Sequence, residues 1–170
     1  MGQQGKHLNS IKVSHEKHTA GCATEIMAIP ETVCISMSQH IGAPCKPLVK
    51  KGDQVKVGQL IGDTDAFVSA PIHSSVSGTV KEISTIRSVT GGDDQVVIIE
   101  TDGNQDVYEE IKPPVINDMK DFIAAVRASG LVGLGGASFP THIKLNPKNL
   151  EEGDTLIVNA AECEPFITSD

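Results

Sequence analysis

Between residues 31 and 103 the apolar positions come in short pieces cut apart by turn residues. Thr32-Val33-Cys34-Ile35-Ser36-Met37 alternates polar and apolar, the period of a half-buried strand. Leu48-Val49, Val55-Lys56-Val57, Leu60-Ile61, Val76, Thr79-Val80 and Val96-Val97-Ile98-Ile99 follow. Pro44, Pro47, Gly52-Asp53, Gly58, Gly62, Pro71, Gly78 and Gly91-Gly92 punctuate them, and residues of these types break regular structure. Many short strands with close turns predict a small sandwich or barrel. Before it lies a polar, irregular N-terminal extension, residues 1–30.

The pattern changes after Gly103. Residues 104–116 read as a linker, stiffened by Pro113-Pro114. Met119, Phe122, Ile123 and Val126 then fall at i, i+3, i+4 and i+7, the apolar stripe of a helix over 117–129. Asn117 is the expected N-cap. Asp118 and Asp121 suit the first turn and Arg127 the last, and Gly130 is placed to terminate the helix. The stripe is expected to pack in a core. Further on, Leu156-Ile157-Val158 fits a short buried parallel strand.

Composition narrows the function classes. The 170 residues are 39% hydrophobic and 3% aromatic, with no Trp, so the core must come from Val, Ile, Leu and Ala. A net charge of −8 is opposite to the footprint of a nucleic-acid binder. Lys46, Lys50, Lys51 and Lys56, interrupted by Asp53, read as a solvated face. No stretch reaches the roughly 18–20 apolar residues of a membrane span, and residues 1–9 lack the apolar run of a secretory signal. The expectation is a cytosolic chain, or one held at a membrane by a partner. Cys22, Cys34, Cys45 and Cys163 include no CxxC pair and are expected to be free thiols. His15, His18 and Cys22 are spaced H-x2-H-x3-C, which is not a structural zinc signature, so no metal site is assigned.

The chemistry-bearing stretch begins at Gly130. In Gly133-Leu134-Gly135-Gly136 the missing side chains let an anion approach the main chain, and Lys144 can supply a positive charge. A tight turn explains Gly-x-Gly-Gly equally well. The strand read at 156–158 ends in Asn159-Ala160-Ala161-Glu162-Cys163-Glu164-Pro165, and polar groups past the end of such a strand lie where open α/β sheets bind ligands. A capped turn before Pro165 is the plainer alternative.

Two segments resemble the halves of a lipoyl- or biotinyl-type barrel-sandwich hybrid. They are Val49 to Ile61, with its V-K-x-G-D-x-V-x-x-G-Q turn, and Ala70-Pro71-Ile72-His73-Ser74-Ser75-Val76-Ser77-Gly78-Thr79-Val80. Carrier domains present a modifiable Lys between the halves. Residues 63–69, DTDAFVS, contain none, so the module reads as a scaffold rather than a carrier.

G-L-V-G-L-G-G-A-S-F-P-T-H-I-K (130–144) and N-A-A-E-C-E-P (159–165) resemble the flavin-binding start of the NADH-oxidising flavoprotein subunit of respiratory complex I. With S-Q-H-I-G-A-P (38–44) they resemble the C subunit of Rnf-type electron-transport complexes still more closely, over residues 15–170. The fold implied is mixed α and β: an all-β barrel-sandwich hybrid (31–103), a linker (104–116) and the start of an α/β FMN- and NADH-binding domain (117–170). The resemblance implies that Gly133, Gly135 and Gly136 line the FMN phosphate and ring and that Lys144 holds the phosphate. It further implies that Asn159 contacts the flavin, and that Glu162 and Glu164 lie near the isoalloxazine and nicotinamide. Val132 and Leu134 stand where the complex I pattern has Arg, Ala161 where it has an acid, and Ser138 where it has Gly.

The implied function is electron passage between NADH and ferredoxin through FMN and 4Fe–4S clusters, coupled to ion movement. It would take place in a peripheral subunit docked on other Rnf subunits at the cytoplasmic face of the membrane, with ferredoxin reached indirectly. Cluster ligation needs closely spaced thiolates, and this chain has none. The family pattern continues past Asp170, so the chain reads as a truncated piece, inactive by itself. Two alternatives stay open: a cobalamin reductase of a bacterial microcompartment, and a non-enzymatic docking module.

Overall fold

Two turns built on one plan open the barrel. At Lys50-Lys51-Gly52-Asp53 the Asp53 carboxylate accepts the Lys50 N–H at 2.9 Å, and Gly52 takes φ +90°. At Lys56-Val57-Gly58-Gln59 the Gln59 amide oxygen accepts the Lys56 N–H at 3.0 Å, and Gly58 takes φ +80°. In each, a side-chain oxygen caps a backbone donor three residues earlier, and glycine absorbs a φ that Cβ disfavours. This is the physical content of the V-K-x-G-D-x-V-x-x-G-Q pattern.

The computed structural model describes residues 14–88, 91–134, 136–149, 152–158 and 164–166. Strands are β1 (Thr32–Ser36), β2 (Lys46–Pro47), β3 (Gln54–Val55), β4 (Leu60–Asp63), β5 (Ile72–His73), β6 (Gly78–Arg87) and β7 (Asp93–Thr101). Helices are α1 (Met119–Ala128) and α2 (Thr141–Lys144). One antiparallel sheet runs β1-β7-β6-β3 and a second runs β2-β4-β5. Ile35, Met37, Cys45, Val55, Ile61, Ile72, Val76, Val80, Val97 and Ile99 fill a single core cluster drawn from both sheets. The expected barrel of short strands is the observed fold, with Val, Ile and Met as its filling.

The A-P-I-H-S-S-V-S-G-T-V stretch is held by its serines. Ser74 Oγ donates to Val76 O at 2.7 Å. Ser77 Oγ donates to Asp102 at 2.6 Å and accepts the Asp106 N–H at 3.1 Å. Both serines are buried, and their hydrogen bonds offset the cost of that burial. The segment after Gly103 lies along the barrel: Val57 N–H donates to Asp106 O and Tyr108 N–H to Val57 O, while Lys56 pairs with Glu109.

Helix α1 begins one residue later than the sequence suggests. Asp118 is the N-cap, accepting the Asp121 N–H at 2.8 Å. Asp121 in turn accepts from the Asn117 backbone and side chain. The Asp118 carboxylate thus satisfies a free N–H of the first turn, while the Asp121 carboxylate reaches past the cap to Asn117. Ser129 is the C-cap, and Gly130, at φ +73°, ends the helix as expected.

The chain divides into two compact units, Ala28–Gly153 and Met1–Met27 with Asp154–Asp170. In the second, Glu16 N–H donates to Pro165 O at 2.9 Å, Lys17 donates to Glu164 O, and His18 and Phe166 rings lie 6.5 Å apart. Leu156, Ile157 and Val158 form no strand there and are 85%, 85% and 77% exposed. This corrects the expectation of a buried parallel strand. A strand needs a neighbour to pair its backbone groups, and no described strand pairs with residues 156–158.

Candidate functional site: the glycine loop and Lys144

The loop from Leu131 to Thr141 is a short hairpin. Val132 bridges Pro140, Gly133 N–H donates to Phe139 O at 2.9 Å, and Thr141 N–H donates to Leu131 O at 3.0 Å. Gly133 therefore contributes through its missing side chain, since its N–H is already used. A Cβ built there would stand 3.0 Å from Lys144 Nζ. Lys144, on α2 and exposed, lies with its ammonium 5.9 Å from the Phe139 ring centroid, within cation–π range. Gly133, Gly136, Ala137, Ser138, Phe139 and Lys144 line a hollow of about 240 Å³.

Gly136 adopts φ +136° and Ser138 φ +47°. Ser138 is a position where the related flavoprotein pattern carries glycine, and its left-handed backbone is one that glycine adopts most easily. A cationic head over an open stretch of main chain suits a phosphate: the ammonium neutralises charge, and the absent Cβ leaves room for the oxygens.

Gly133, Gly136 and Lys144 are thus brought together. Gly135, Asn159 and Glu162 lie outside the described residues. Glu164 is exposed, and its carbonyl oxygen accepts from Lys17.

Beside the loop, His142 is buried on α2, and its Nδ1 has no hydrogen-bond partner among the described residues. Burial, then the Arg127 charge, pushes its pKa below the ordinary histidine value. Nothing in the sequence pattern singles out His142. Burial likewise lowers His73, against a raising effect of Asp63. In the barrel, His40 Nε2 lies 3.4 Å from the Cys45 thiol, which donates to Ala70 O at 3.2 Å. Burial raises that thiol's pKa, with Asp63 adding and Arg127 opposing. It is a packed cysteine rather than an activated one. Cys22, Cys34 and Cys45 are free. Among the described residues no group of three or more His, Cys, Asp or Glu is arranged to hold a metal ion, and no helix is long and apolar enough to cross a membrane.

Residues 6–104 match the family model of the RnfC barrel sandwich hybrid domain, and residues 126–170 match that of the Nuo51 FMN-binding domain. The chain is 45% identical over 159 residues to the C subunit of the proton-translocating ferredoxin:NAD(+) oxidoreductase complex of Clostridium ljungdahlii, covering 91% of this chain and 35% of that protein. It is 47% identical over 144 residues to the C subunit of the Na(+)-translocating counterpart of Acetobacterium woodii, covering 83% and 32%. To the C subunit of the ion-translocating oxidoreductase complex of Rhodobacter capsulatus it is 36% identical over 162 residues, covering 92% and 31%. The chain spans about a third of the length of these curated relatives.

Proposed function

The chain belongs to the RnfC barrel sandwich hybrid family, and from that premise we propose that it is the N-terminal part of an electron-transport subunit. The subunit passes electrons between NADH and ferredoxin through FMN and 4Fe–4S clusters, coupled to ion translocation. It sits peripherally on other Rnf subunits at the cytoplasmic face of the membrane. In this reading residues 31–103 are the scaffold, 104–116 the connection, and 117–170 the beginning of the FMN- and NADH-binding domain.

One observation carries the reading: the Lys144 ammonium stands over Gly133, at the spot a Cβ would crowd. The flavin phosphate would be held there by Lys144, against the main chain of Gly133, Gly135 and Gly136. Asn159, Glu162 and Glu164 would contact the ring end. FMN supplies the exchange of a hydride for single electrons, while the protein supplies position and electrostatics. Lys144 would set a positive charge against the phosphate dianion, and the Val132–Pro140 bridge closes the base of the hairpin that carries the loop.

Titration of the chain with FMN and with riboflavin tests this, followed by flavin fluorescence and by amide shifts of Gly133 and Phe139. Weak binding that favours FMN is expected, and Lys144→Gln should abolish the preference. Equal responses to FMN and riboflavin, or loop amides that do not shift, would overturn the phosphate assignment.

A further inference from the structure

The lysine-bearing tip of a carrier domain is replaced here by a docking point for α1. Arg127, in the last turn of α1, donates from Nη2 to Asp63 Oδ1 at 2.9 Å and from Nη1 to Asp63 Oδ2 at 3.3 Å. Nη2 also donates to Thr64 O at 3.1 Å. Asp63 ends β4, and Thr64 opens the loop that follows. Only a planar guanidinium offers that fork.

Three residues further on, Gly130 backs onto β5. A Cβ there would come within 2.5 Å of Pro71 O. At the far side of the glycine loop, Ile41 N–H donates to Ser138 O at 3.3 Å. Between these anchors runs the hairpin that carries Gly133 and leads into Lys144. The loop is therefore gripped from the barrel at both ends, by the β4 edge through Arg127 and by Ile41 through Ser138.

We infer that Arg127 is a positioning residue for the glycine loop, and that the barrel's β2-β4-β5 sheet is the platform on which the anion site is shaped. This rests on the flavin-site reading above but makes a claim of its own: the loop's conformation depends on a contact with the barrel outside the hollow at Gly133 and Lys144.

Amide hydrogen exchange on the whole ¹⁵N-labelled chain, native against Arg127→Lys and Arg127→Met, tests it. The Gly133 and Thr141 amides report the hairpin. The Met37 and Val80 amides, bonded to Gln95 O and Asp53 O, report the barrel. Arg127→Lys keeps the charge and loses the fork. It should speed exchange at Gly133 and Thr141 on the order of tenfold, with Met37 and Val80 unchanged. Unchanged loop amides would overturn the inference. So would acceleration of all four together, which would make Arg127 a contributor to general stability only. If Arg127→Met does not fold, the lysine variant still decides. If the native chain shows no FMN response, the flavin reading falls while the exchange comparison stands.

Discussion

Met37, Ile61, Val97 and Ile99 have no exposed surface at all, whereas no residue of α1 is fully buried and Met119 at its start is 48% exposed. The barrel closes over its own apolar side chains because two sheets face each other, each covering what the other exposes. Among the described residues helix α1 packs against the short α2 as well as the barrel, and the groove between the two helices is lined by Met119, Ile123, Ala124 and His142. Its apolar stripe is only half covered. Burial in the first region is set by two facing sheets that share one core, and in the second by a few point contacts, chiefly Arg127 and Gly130.

Substitutions should separate the two regions sharply. Ile61→Ala opens a void in a sealed core and should cost about 2–5 kcal/mol, while Met119→Ala should cost under about 1 kcal/mol. Urea unfolding of both variants measures the contrast, and equal losses would break it. Gly130→Ala places a methyl against Pro71 O in a left-handed backbone, and should cost more than about 1 kcal/mol. It should also open a protease-sensitive site near 104–116 while a barrel core survives, visible in limited proteolysis.

A pH series sharpens the comparison with the smallest effect. Burial and the Arg127 charge hold His142 below its usual pKa, and burial does the same to His73. A histidine depressed in the folded state is protonated first in the unfolded chain. Stability is therefore full above about 6.5, the unfolded value, and lost as pH falls through the folded one. Asp63 adds a loss of the same sign at lower pH. Burial alone would raise its carboxyl, but the hydrogen bonds from Arg127 and Thr64 and the Arg127 charge outweigh that and hold it below the usual carboxylate range. The urea midpoint should fall between pH 7 and 5, and His142→Gln should flatten that slope.

How legible each region is follows from how local its causes are. The turns at Gly52-Asp53 and Gly58-Gln59 are readable because the capping oxygen lies three residues from its donor. Gly130 is readable as a helix end for the same reason. The cap of α1 slips by one residue, since Asn117 and Asp118 are both good caps; in the fold Asp118 accepts the Asp121 N–H, whereas Asn117 donates to the Asp121 carboxylate. Arg127 reads as a cation complementing a helix dipole, because nothing near it in the chain announces Asp63, which the fold brings from the other side of the linker. Leu156-Ile157-Val158 has a strand's composition, but composition cannot supply a neighbour. Of the candidate site, Gly133, Gly136 and Lys144 are legible as types. The use of the Gly133 N–H within the hairpin is not.

The antiparallel pairing of β1 with β7 also sets a timetable. Ile35 pairs with Val97, so as the chain is synthesised β1 emerges about sixty residues before its partner. At roughly 5–20 residues per second it waits for seconds as an unpaired apolar strand. The β6–β7 hairpin closes locally, within microseconds of emerging, and offers the template on which β1 docks. Arg127 follows later and clamps a sheet that already exists. The glycine loop then emerges after the platform on which it is held.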